Sequence, residues 1–256
     1  MTDPIVLHWT SASRTDVGLV RERNEDAVLD APERGLWAVA DGMGGHAVGD
    51  YASRTVVELL DSLTPPQTLE QGIAAAHQRL QIANQQIQAE AASRHLQRIG
   101  STVAVLLSSG ERAACLWAGD SRVYLCREGH LMQITRDHSQ AEEMRARGWV
   151  SNEDDIPLGA RNVITRAVGA APLLEVDDET VEVRDGDVFL LCSDGLSNLL
   201  SDEEMAAALG ARRCREAVES LVELALSRGG RDNISAVVAR AEDLYNSDKT
   251  MLNPDL

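Results

Sequence analysis

Four aspartates stand where an apolar run meets a turn: Asp41 after Leu36-Trp37-Ala38-Val39-Ala40, Asp120 after Cys115-Leu116-Trp117-Ala118-Gly119, Asp194 after Val188-Phe189-Leu190-Leu191-Cys192-Ser193, and Asp232 just before Ile234-Ser235-Ala236-Val237-Val238-Ala239. A carboxylate at a strand end is fixed on rigid backbone at the edge of a core. The glycine that follows Asp41 and Asp194 lets backbone carbonyls approach closely, which suits a hard, oxygen-seeking cation. If the last strand runs antiparallel to its neighbours, its leading Asp232 lies at the same end of the sheet as the trailing carboxylates, and all four converge. Taken singly, an Asp-Gly after a strand is most often just a turn.

The elements that position these residues come in blocks and do not alternate strictly between strand and helix, which disfavours a parallel doubly wound sheet. Strands are expected at 5–11, 26–30 and 36–40. A helix over about 49–63 carries Ala52, Val56, Leu59, Leu60 and Leu63 on one face and stops at Pro65-Pro66. A second helix over about 68–98 repeats Leu69, Ile73, Ala76, Leu80, Ala83 and Ile87 in steps of four and three, so the two helices pair antiparallel. A run of hairpins follows, with strands at 102–107, 112–118, 122–127 and 130–134. The polar segment 138–161, with Gly148, Pro157 and Gly159, predicts a mobile flap over the sheet edge. Strands at 174–183 and 187–192, a helix at 214–227 and a strand at 233–241 complete a single domain over 1–242, with a polar tail at 243–256. The fold class expected is α+β: a four-layer α-β-β-α sandwich of two mixed antiparallel sheets flanked by helix pairs.

With 256 residues and 44% hydrophobic content, the chain can bury a sizeable core. A net charge of −17 with Lys249 as the single lysine argues against nucleic acid as a partner. Cys115, Cys126, Cys192 and Cys214 lack paired spacing and read as reduced core residues. The first residues lack the basic and apolar regions of a signal peptide, and no apolar run reaches the roughly 18 residues of a membrane span. The expectation is a cytoplasmic protein without membrane insertion.

Seven motifs in order, Arg21-Glu22-Arg23-Asn24-Glu25-Asp26, Asp41-Gly42-Met43-Gly44-Gly45-His46, Gly100-Ser101-Thr102, Gly119-Asp120-Ser121-Arg122, Thr135-Arg136-Asp137-His138, Ser193-Asp194-Gly195 and Gly230-Arg231-Asp232-Asn233, resemble the bacterial metal-dependent protein Ser/Thr phosphatases of type 2C (PPM). The resemblance spans roughly residues 10 to 240, and the motifs together outweigh the bland reading of any one. It implies a β-sandwich between helix layers. It also implies that Asp41 bridges two Mg²⁺ or Mn²⁺ ions, with the Gly42 carbonyl on one and Asp194 and Asp232 on the other, and that Asp120 with Asp194 holds a weaker third. Two such ions can share a water and aim it in line at phosphorus, without a covalent phosphoenzyme. Glu25 and Asp26 would orient metal-bound waters, and Arg21 would grip two phosphate oxygens. Many members carry a histidine directly after Asp-Gly as general acid; this chain has Met43 there and His46 three residues later, so the proton donor is His46 or a metal-bound water. His138 and the other histidines read as surface or capping residues.

Other hydrolytic chemistries fit poorly. The residues six beyond the four cysteines are Ser121, Met132, Asn198 and Ser220, so none supplies the arginine of a cysteine-dependent phosphatase. Asp185-Gly186-Asp187 precedes its strand, where an aspartyl-phosphate enzyme needs the pair after it. Gly119-Asp120-Ser121 lacks a nucleophile elbow. The expected partners are phosphorylated proteins, among them a Ser/Thr kinase and its substrates. The alternative is a regulatory pseudophosphatase, which should have lost metal carboxylates.

Overall fold

The computed structural model describes residues 7–44, 48–64, 66–150, 155–160 and 163–243. Among the described residues, eleven strands form two sheets. β1 (Leu7–Asp16), β11 (Ile234–Asp243), β10 (Val188–Cys192), β7 (Arg122–Arg127) and β8 (His130–Gln133) make one, in that order. β2 (Asp26–Ala31), β3 (Leu36–Met43), β5 (Val103–Ser109), β6 (Arg112–Ala118) and β9 (Asp177–Glu182) make the other, with the short β4 (Gly100–Ser101) paired to the end of β3. The pairings are all antiparallel.

The sheets stack because their central strands are apolar on both faces. Along β10, Phe189 and Leu191 point into the layer between the sheets, where they meet Trp37, Val39, Leu106 and Val237. Val188, Leu190 and Cys192 point the other way, against a helix layer. β3 repeats this, with Trp37 and Val39 between the sheets and Leu36, Ala38 and Ala40 toward the opposite helices. The period of two thus reads as an unbroken apolar run when both faces are covered. Each large side chain buried this way contributes roughly 1.5–3 kcal/mol.

Helices α1 (Gly49–Asp61) and α2 (Leu69–Ser93) cover the second sheet through Ala52, Val56, Leu60, Leu80 and Ile87. The Thr68 hydroxyl caps α2 by accepting from the Gln71 amide at 3.3 Å. α3 (Gln140–Ala146) lies in the flap. After β10 come α4 (Asp194–Ser197) and α5 (Asp202–Leu209), then α6 (Cys214–Ser227), which packs Val218, Leu221, Val222 and Ala225 on the first sheet. The architecture is the expected α-β-β-α sandwich, with sheets antiparallel throughout in place of mixed.

Several boundaries differ from expectation. β1 runs on to Asp16, because its polar half pairs residue by residue with β11. α2 ends at Ser93, and β9 starts only at Asp177. α4 and α5 were not anticipated; α5 begins at a capping box of Ser201 and Glu204 that the sequence does carry. β6 and β7 are not a hairpin. They belong to different sheets, so Gly119-Asp120-Ser121 is the crossing between layers.

Candidate active site

The antiparallel register collects the carboxylates at one end of the sandwich. Asp26, which opens β2, lies directly opposite Asp41 near the end of β3. On the other sheet Cys192 closes β10 opposite Ala236 of β11, so Asp194, just beyond β10, and Asp232, just before β11, leave the same edge. Asp120 arrives from the end of β6. Asp194 is the first residue of α4, not a strand end as such; an acidic side chain there faces the positive end of the helix.

Polar groups bolt the two sheets together at this end. The Ser193 hydroxyl donates to Asp26 Oδ2 at 2.8 Å, and Asn233 Oδ1 accepts the Glu25 amide at 2.8 Å. The Asn233 amide nitrogen donates to the carbonyls of Val17 and Arg23, both at 2.9 Å, so one side chain shapes the whole loop that carries Arg21. The Thr102 hydroxyl accepts the Asp41 amide at 3.0 Å, and the Thr102 amide donates to the Asp41 carbonyl at 2.8 Å. Gly42 must be glycine: a Cβ would collide with the Gly49 carbonyl.

The electrostatics follow from this crowding. Burial pushes Asp26 up to about 7, against the bond from Ser193, and nearby Asp194 and Asp232 add to the rise. Asp120 is also pushed up to about 7, by burial and then by Asp194 and Asp137. Asp41 is raised well above the usual carboxylate range by burial, then by Asp26, Asp194, Asp120 and Asp232. Burial and Asp232 raise Asp194. Carboxylates that raise one another are close together and short of compensating positive charge.

Two details bear on whether a cation suits this place. Asp26 Oδ1 is buried yet makes no hydrogen bond. A Cβ on Gly49 would stand 2.8 Å from both the Gly42 carbonyl oxygen and Glu25 Oε1, so its absence keeps these oxygens open to shared space. The donors are all oxygen, which matches Mg²⁺ or Mn²⁺ better than zinc. Among the described residues, no three acidic, histidine or cysteine side chains are drawn tightly enough to hold an ion as they stand.

The rim carries the positive groups. An Arg21 nitrogen donates to Asp232 Oδ2 at 2.7 Å, an ion pair in place of the rival pairing with Glu22 or Glu25, and the guanidinium is more than half exposed. Arg122 is gripped by Asp137 at 2.7 and 2.9 Å; burial opposes its charge, but the Asp137 bonds outweigh that and raise its pKa. A cleft of about 550 Å³ opens over Asp120, Asp194 and Asp232, with Ser139, Arg145 and Ile156 of the flap on its far wall. Ala141, Ile156 and Ala160 form a small core inside the flap.

Sequence reasoning misplaced His138. It is buried, with Nδ1 accepting the Gly119 amide at 3.2 Å and Nε2 3.1 Å from Asp177. It also missed the bolting roles of Thr102, Ser193 and Asn233, although each lies inside a motif already noted. Glu25, Asp26, Asp41, Gly42, Asp120, Asp194, Asp232 and Arg21 are brought to one end of the molecule. His46 lies outside the described residues, as do 151–154 and 161–162 of the flap and 244–256 of the tail.

A family model described as protein phosphatase 2C matches residues 11–234. The chain belongs to the protein phosphatase 2C family. Among curated relatives, the Ser/Thr protein phosphatase PstP of Mycobacterium tuberculosis is 38% identical over 235 residues, 91% of this chain and 45% of its own length. This chain thus spans about half of that relative. Among solved structures, PppA, described as a key regulatory component of T6SS in Pseudomonas aeruginosa, is 43% identical with a TM-score of 0.86, covering 93% of this chain and 99% of that one. The PstP catalytic domain in complex with two manganese ions is 37% identical with a TM-score of 0.83, covering 93% and 100%. The described residues of the motifs quoted above are strung along the chain and meet at the end of the sandwich. No helix among the described residues is long and apolar enough to cross a membrane.

Proposed function

We propose that this chain is a metal-dependent protein Ser/Thr phosphatase that hydrolyses phosphoserine and phosphothreonine in other proteins and opposes cytoplasmic Ser/Thr kinases. The observation that carries this reading is the convergence of Asp41, Asp120, Asp194 and Asp232 beneath the exposed Arg21, the first three held above the usual carboxylate range by burial and by the charge of neighbouring carboxylates. PstP, solved with two manganese ions, supports the choice of metal.

Asp41, the Gly42 carbonyl, Asp194 and Asp232 would hold two Mn²⁺ or Mg²⁺ ions, and Asp120 with Asp194 a weaker third. When bound, the ions supply a water of lowered pKa and neutralise phosphate charge. Arg21 keeps donors beyond the one on Asp232, and these grip two phosphoryl oxygens as charge develops. Glu25 and Asp26 orient water at the back of the site. The leaving alkoxide takes its proton from His46 or from a water in the cleft. Residues 1–242 act as one catalytic unit with 138–161 as flap and 243–256 as a tail. A regulatory pseudophosphatase is disfavoured because all four carboxylates are present.

Calorimetric titration of chelator-treated protein with Mn²⁺, alongside turnover of a phosphothreonine peptide, tests the reading. Heat of binding and activity should rise together. Full turnover in the stripped protein would sink the mechanism.

A further inference from the structure

Beside the carboxylates lies a second cleft, of about 460 Å³. Its near wall is Met43 and Gly44, the continuation of the strand that ends in Asp41-Gly42, and Met43 pairs there with Gly100 of β4. An extended peptide advances about 3.3 Å per residue, so a substrate with its phosphoresidue over Gly42 reaches this cleft within a few residues.

The cleft is built and ready. Asn84, wholly buried on α2, donates to the Ala171 carbonyl at 2.9 Å and accepts the Gly169 amide at 2.6 Å; Gln81 donates to the Leu174 carbonyl at 2.6 Å. A helix thus holds the far wall from beneath, which lowers the ordering cost of binding. The floor is apolar, with Ile99, Ala167 and Leu174 buried, and Leu173 stands 71% exposed at the rim.

Charge selects the occupant. Arg166 is held by Asp177 at 2.7 Å and Glu175 at 3.7 Å, so its charge is already matched. Arg98 is exposed and makes no ion pair among the described residues, in a chain of net charge −17. An unmatched cation beside an exposed leucine fits an acidic and an apolar side chain on one extended strand.

We propose that this cleft docks the polypeptide flanking the phosphorylated residue, with an aspartate or glutamate of the substrate on Arg98 and an apolar side chain against Leu173. The proposal rests on reading the carboxylate cluster as the phosphatase centre, and it gives a share of substrate preference to residues outside the 138–161 flap.

The test is a set of phosphothreonine peptides carrying a single Glu or Lys at each flanking position, assayed with the full chain and with Arg98→Glu and Leu173→Ser. The wild type should favour Glu over Lys at one or two positions by about fivefold in kcat/KM, as a rim charge pair allows. Arg98→Glu should invert that preference at the same positions. Leu173→Ser should lower kcat/KM for both peptides about threefold, the loss expected for part of one apolar contact. Identical position profiles in wild type and Arg98→Glu would overturn the proposal. Fluorescence anisotropy with the same peptides bearing unphosphorylated threonine separates docking from chemistry. Charge-selective binding that Arg98→Glu inverts, in a protein without turnover, would leave the cleft standing and sink the phosphatase reading instead.

Discussion

The Nδ1 atom of His138 accepts the backbone amide of Gly119 at 3.2 Å, while the His138 amide donates to the Gly119 carbonyl at 2.8 Å. This two-sided clamp fixes the residue before Asp120. Asp177, 3.1 Å from Nε2, sets the tautomer that leaves Nδ1 free to accept. His138→Ala should weaken the loosest class of Mn²⁺ binding about tenfold, as loss of a supporting partner does. His138→Asn, whose side-chain oxygen takes the place of Nδ1, should recover most of it, and His138→Gln should not. Calorimetry on the three variants decides; equal losses in all would mean general damage.

Asp41→Ala and Asp194→Ala should cut kcat by several orders of magnitude. Metal-free, both variants should melt higher than wild type at pH 8, because each removes one of several carboxylates that repel one another. Scanning calorimetry with and without Mn²⁺ checks this, and a lower melting point in the metal-free variants would contradict the crowding.

The pH dependence follows from Asp26 and Asp120, both raised from 3.8 to about 7. Each binds its proton more tightly folded than unfolded. The stability they contribute is therefore full below about pH 4 and is lost as pH rises through about 7. Metal-free protein should lose melting temperature from pH 5 to 8, and Asp120→Asn should flatten that slope. Mn²⁺ competes with the same protons, so it should stabilise more at pH 8 than at pH 6.

Asp120→Ala should keep the two tight metals and lose much activity on phosphopeptides, whose alkoxide needs a proton. Aryl phosphates, with a better leaving group, should suffer less. Loss of a tight site in the calorimetric titration, or an equal fall on both substrates, would show that Asp120 has a different task.

Trp149 is 65% exposed on the flap, with the Arg147 guanidinium 4.9 Å from its ring centre. Trp149→Ala should change discrimination among phosphopeptides severalfold and leave aryl phosphate turnover within about twofold, since surface substitutions rarely disturb the rest. Parallel kcat/KM measurements on both substrate types suffice.

Much of this was legible in the chain. Asp-Gly after an apolar run marked Asp41 and Asp194, and the helix stripes of α1, α2 and α6 emerged from their spacing. What stayed hidden was contact across long separations. Nothing local indicates that Arg21 meets Asp232, 211 residues away, or that the Gly119-Asp120-Ser121 turn changes sheet. A tight turn between two apolar runs looks the same whether the runs pair or part. His138 was misread for a related reason: its burial comes from Trp117, stacked 6.0 Å away, and from Asp177, neither of them a sequence neighbour.

The place of β11 has a temporal consequence. It sits between β1 and β10, although β1 and β2 are made more than 200 residues before it. Asp232 and the bracket formed by Asn233 immediately precede β11, so during synthesis the segment holding Arg21, Asp26 and Asp41 waits for the last strand before its loop can be shaped. Such sequence-distant pairing folds slowly. On a nascent chain the carboxylate cluster therefore stays incomplete until residues 232–243 have emerged.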